Sequence, residues 1–131
     1  MIIWDDSMST GVPQIDAQHK KLFRKFNEFP EALSGATSRE AASKLLDFLQ
    51  FYAKWHFGQE ENCMNKYKCP VAAENKKAHA EFVSTFNQFY TQWQTGNMTS
   101  ELANKTYVEL EKWLLYHVAR VDTQLRTCVK K

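Results

Sequence analysis

The chain has 131 residues, 44% of them hydrophobic and 14% aromatic, with four glycines and three prolines. That is enough for one ordinary domain with a real core, and it favours a compact, helix-rich globule over disorder or a sandwich of short strands. A net charge of +2, from 17 basic and 15 acidic residues, is too small to argue for nucleic acid or a lipid surface as partner.

No apolar run approaches the ~20 residues of a membrane span, so no membrane association is expected. The opening MIIWDDSMST lacks the basic and apolar regions of a signal peptide, which makes a cytoplasmic location the expectation. Three cysteines, Cys63, Cys69 and Cys128, cannot all pair within the chain, and Cys63 and Cys69 do not form C-x-x-C. Reduced thiols are therefore expected.

In chain order, a loop arm ending at Gly-Val-Pro leads into a first helix expected from about Asp16 to Ala36. Ile15, His19, Leu22, Phe26, Phe29 and Leu33 share its apolar stripe, and Pro30 is expected to kink or interrupt it. The second opens at Thr37 or Ser38, either of which could cap. It carries Leu45, Leu49, Tyr52, His56 and Glu60 to about Met64. Pro70 suits the first turn of a third helix bearing Asn75, His79, Phe82, Phe86, Phe89 and Trp93, which stops at Gly96-Asn97. A fourth, capped by Thr99 or Ser100, carries Leu110, Trp113, Leu114, His117 and Val121 toward Leu125. Short connections between long amphipathic helices predict one all-α domain over residues 1–131, an antiparallel up-down-up-down four-helix bundle with an N-terminal loop arm.

The chain has only four histidines, and each helix has one on its apolar stripe. A single histidine on such a face is ordinarily a satisfied core residue; four of four is not readily obtained independently. Glu60 lies four residues after His56, about 40° around the helix, so it also points inward. A buried carboxylate needs a positive partner, and the stripes offer no lysine or arginine. Asp122, five residues after His117, is about 140° away on an ideal helix, so it faces inward only through a π-type turn or a local break. Four imidazoles and two carboxylates suit iron, zinc or manganese and are too many for one tetrahedral ion. A pair of ions bridged by Glu60 and Asp122 uses them all.

These residues lie in stretches that together resemble the hemerythrins, specifically the single-domain bacterial members: WDDSMSTGVPQIDAQHKKLF, HFGQEENCM, CP followed after eight residues by HAEF, and WLLYHVARVD. The resemblance covers nearly the whole chain. It implies a non-heme di-iron centre with an oxo or hydroxo bridge that binds dioxygen reversibly, for storage, delivery or sensing. One iron is implied to take His19 and His56, the other His79 and His117, with Glu60 and Asp122 bridging. By the same likeness Leu22, Phe57, Phe82, Leu114 and Val118 wall the oxygen pocket, although such residues at helical spacing are core first.

One position departs from the family pattern P-x-x-x-x-H-x-x-x-H. Here Asn75 stands one turn before His79, where a fifth histidine is expected. An amide oxygen is a poorer donor for iron than imidazole. The departure keeps two other readings open, a di-iron enzyme acting on peroxide or nitric oxide and an iron-buffering protein, with binding favoured over turnover. A ferritin-like centre would carry two E-x-x-H motifs, which are not found. Lys20-Lys21 and Lys76-Lys77 read as solvated helix faces. With no apolar surface stripe left over, a monomer or weak homo-oligomer is expected, and no delivery partner is indicated.

Overall fold

The computed structural model describes residues 2–34, 38–96 and 99–129. Four long helices form the bundle: α1 (Pro13–Ser34), α2 (Ser38–Lys66), α3 (Ala72–Gln94) and α4 (Ser100–Arg120), followed by a short α5 (Leu125–Val129). Among the described residues there is no strand, and no helix is long and apolar enough to cross a membrane. Ala36, Thr37, Asn97 and the side chains of Leu33 and Ser38, invoked above, lie outside the described residues.

Local chemistry explains the start of α4 and the turn after α3. The Thr99 hydroxyl accepts from the Leu102 amide at 3.1 Å, which makes Thr99 the cap of α4. After α3 the chain turns at Gly96, whose φ of +75° favours a residue without Cβ. Pro70 falls two residues ahead of α3 rather than in its first turn. The arm is pinned to α1 at both ends. Asn27 exchanges two hydrogen bonds with the Ile2 backbone, at 2.8 and 2.7 Å, and Asp16 accepts from the Thr10 amide and hydroxyl, each at 2.8 Å.

Helix α1 is not interrupted at Pro30, contrary to the expectation of a possible break. Proline has no N–H to give to the carbonyl four residues earlier, which is that of Phe26. The Tyr107 hydroxyl, arriving from α4, donates to the Phe26 carbonyl instead. Tyr107 is fully buried, and burial followed by the nearby Glu111 and Glu28 pushes its phenol far above its ordinary range, so it stays a donor.

Two clusters form the interior. The larger runs along the bundle and is dominated by aromatic residues: Phe29 stacks on Tyr107 at 4.3 Å and meets Phe89 and Trp93 edge-on at 6.0 Å. The smaller joins Met64, Cys69, Leu125 and Cys128, where α5 returns against the turn between α2 and α3. There Cys69 and Cys128 are disulfide-bonded, with Cα atoms 5.6 Å apart, and Cys63 alone is free. This corrects the expectation of three reduced thiols. The partners are 59 residues apart, and only the return of the C-terminal segment brings them together.

Candidate metal centre

His19 on α1, His56 and Glu60 on α2, His79 on α3 and His117 on α4 all point into the bundle, and none is more than 3% exposed. Helix α4 ends at Arg120, and Asp122 opens a single 3-10 turn before α5. This break turns Asp122 onto the same inner face as His117, as the five-residue spacing required.

The four imidazoles converge through their Nε2 atoms, and the carboxylates divide between them. Glu60 Oε2 lies 2.7 Å from His19 Nε2 and 3.3 Å from His56 Nε2, while its Oε1 lies 3.0 Å from His79 Nε2. Asp122 Oδ2 lies 3.2 Å from His19 Nε2 and its Oδ1 3.2 Å from His117 Nε2. Two overlapping groups result, each compact enough to hold a cation: His19, His56 and Glu60, and Glu60, His79, His117 and Asp122.

The outer ring nitrogens are held by partners invisible to helical periodicity. His56 Nδ1 is 2.7 Å from Gln18 Oε1, and His79 Nδ1 is 3.0 Å from Glu61 Oε2. Both acceptors require the proton on Nδ1, which leaves the Nε2 lone pair directed inward. Phe57 lies flat on His79, with ring centroids 3.9 Å apart, and Trp113 flat on His117 at 4.6 Å. Gln18, Glu61 and Trp113 were not identified as site residues from the sequence. Gln18 and Glu61 each adjoin a candidate ligand, so they sit about 100° from it and read as surface positions.

A cation fits this donor set. Glu60 Oε1 and Asp122 Oδ1 are buried and within ion-pair distance of imidazoles, yet neither has a hydrogen-bond partner of acceptable geometry. Asn75 Oδ1 is a third buried oxygen with no donor, while its amide nitrogen donates to Met64 Sδ at 3.1 Å. With protons as the only cations, burial disfavours the His19 imidazolium, but Glu60 and Asp122 outweigh it and raise its pKa to about 10. Burial likewise opposes ionisation of Glu60, and His56 and His19 overcome it to hold the carboxyl well below its usual range. The cage is one that attracts positive charge.

Of the expected pocket wall, Leu22, Phe57, Phe82, Leu114 and Val118 are all buried in the larger core cluster. Phe57 and Phe82 meet edge-to-face at 5.6 Å, directly behind His79.

A four-helix bundle with histidines from every helix and two shared carboxylates defines a class of polynuclear metal-binding bundles. Residues 10–128 match the family model described as "Hemerythrin HHE cation binding domain". The chain belongs to the hemerythrin family and, with it, to the non-heme di-iron oxygen-binding proteins. It is 25% identical to a bacteriohemerythrin of Stenotrophomonas maltophilia, over 99% of this chain and 82% of that protein. It is 26% identical to a myohemerythrin of Riftia pachyptila, over 92% of this chain and 87% of that one. A crystal structure of wild-type hemerythrin superposes with a TM-score of 0.89 at 25% identity, covering 100% of this chain and 99% of the other.

Proposed function

We propose that this protein binds dioxygen reversibly at a pair of iron ions held two histidines to each: His19 and His56 on one side, His79 and His117 on the other, with Glu60 and Asp122 shared. The observation that carries the assignment is the division of the carboxylate oxygens, one toward each histidine pair. When bound, the iron pair supplies the electrons and the open position with which dioxygen combines. Gln18 and Glu61 fix the tautomers and ring planes of His56 and His79. Leu22, Phe57, Phe82, Leu114 and Val118 form a dry wall that excludes water and thereby opposes loss of the bound gas in a reduced form.

Asn75 gives this centre its own character. Its buried amide oxygen lacks a hydrogen-bond donor and stands one turn before His79 on α3, where it would be a weak donor in place of the imidazole of the family pattern. An iron ion held by His79 and His117 would therefore be bound more loosely than one held by a third imidazole. This feature favours peroxide turnover as the second reading.

Anaerobic reduction followed by admission of air, with the visible spectrum and iron content followed together, tests the proposal. A charge-transfer band that bleaches on removal of oxygen supports binding; rapid decay with repeated peroxide consumption supports turnover. Asn75→His is expected to raise retention of the second iron and to lengthen the life of the oxygen adduct. Equal iron content and equal lifetime in the two proteins overturn the role given to Asn75.

A further inference from the structure

The outer face shared by α1 and α2 carries a feature that the metal centre does not use. Residues 20–25 read KKLFRK, four cations in six positions of a chain whose net charge is only +2. Lys21 lies 5.4 Å from the ring centroids of both Phe48 and Tyr52, and Lys25 lies 5.5 Å from Phe48. Arg24 belongs to the same neighbourhood: burial pushes the Tyr52 phenol up, and the Arg24 cation opposes that. The aromatic row continues outward, with Phe48 stacked on Tyr52 at 5.3 Å and Tyr52 against Trp55 at 5.6 Å. Trp55 is 44% exposed and Phe51, one turn before it, 70%. The nearby acids are engaged. Glu28 pairs with Lys25 at 3.4 Å, and Asp47 accepts from Tyr90 on α3.

This patch backs directly onto the centre. Trp55 precedes His56 in the chain, the Tyr52 hydroxyl donates to the Gln18 carbonyl at 3.4 Å, and the Gln18 side chain holds His56 Nδ1. Phe48 is half-buried and Tyr52 buried, so the cations flank the inner part of a row that reaches the surface at Trp55 and Phe51. Cations beside exposed rings are what an acidic protein surface recognises, the charges steering the encounter and the rings supplying the buried contact. We propose that the patch formed by Lys21, Arg24 and Lys25 with the exposed rings of Phe51 and Trp55 is the docking surface of a small acidic electron-donor protein that re-reduces the centre by way of His56. The inference rests on the ligand assignment given above. Each donor molecule loses one electron and the oxidised iron pair gains it, so two encounters restore the reduced, oxygen-binding form.

The test uses reduced rubredoxin as an acidic one-electron donor, and the iron-loaded, oxidised protein. Reduction followed by stopped flow is expected to slow with salt, and to slow about tenfold or more in the K21E/R24E/K25E variant at low salt, in line with electrostatic steering. Iron content should be unchanged in that variant. Independently of iron, titration with oxidised rubredoxin is expected to shift the Trp55 indole NMR resonance, identified with W55F, and the shift should be lost in the triple variant. Charge reversal without effect on rate and shift overturns the proposal. So does a patch that binds phosphatidylglycerol vesicles but not the donor. Iron content below that of a loaded pair in the unmodified protein counts against the ligand assignment instead, and the indole titration still decides the docking surface.

Discussion

The bundle has two ends built on opposite principles. Around Phe29, Phe89, Trp93 and Tyr107, large rings fill the space between helices and the main polar need, the carbonyl stranded by Pro30, is met by a hydroxyl from the same cluster. Around Glu60 and Asp122, one oxygen of each carboxylate stands without a hydrogen-bond donor and four imidazole Nε2 atoms converge. The first end is complete in amino acids alone. The second is completed by cations, so its contribution to stability depends on metal concentration, by mass action, as that of the aromatic end does not.

The largest effect expected at the polar end is from Glu60→Gln. It removes the carboxylate shared by both cation groups, and bound iron should fall from a pair to one ion or none per chain, measured by metal analysis after desalting. At the aromatic end Phe29→Ala should cost about 3–5 kcal/mol in denaturant unfolding, equally with and without a chelator, because the cavity has no connection with metal. A chelator-dependent loss would break the division between the ends. The Cys69–Cys128 bond lies beside the polar end and closes a loop of 59 residues. Its removal in C69A/C128A should cost about 2–4 kcal/mol, and thiol labelling before and after reduction should count one and then three cysteines. The smallest effect is the most specific. Tyr107→Phe strands the Phe26 carbonyl and should cost about 1–3 kcal/mol, of which a large part should return in a Pro30→Ala background, where residue 30 regains its N–H. Simple additivity of the two substitutions would refute the exchange of donors.

Much of the architecture was readable in the chain because helical period is a local property. The stripes through His19, His56, His79 and His117 place each residue on a face without reference to any other helix. Asp122 was readable for a related reason: a five-residue offset demanded a break, and the chain breaks at Val121. What could not be read depends on how neighbouring helices are rotated and staggered. Gln18 and Glu61 occupy positions that look solvated until α1 approaches α2 and α2 approaches α3 closely enough for their side chains to reach His56 and His79. The pairing of Cys69 with Cys128 similarly requires the path of α5, which no local pattern in the chain reveals. Pro30 looked disruptive because a proline's cost is local, whereas its remedy, Tyr107, is supplied 77 residues later.

That remedy makes the end of α1 conditional. A helix normally satisfies its own carbonyls as it forms, so its last turns can assemble before any neighbour arrives. Here the turn after Phe26 lacks one of its own bonds and gains the replacement only when α4 has docked. Backbone amides beyond Pro30 should therefore exchange with solvent in step with undocking of α4 rather than with fraying of α1. The proline, by weakening a local element at one point, ties two distant stretches of chain into one cooperative folding unit.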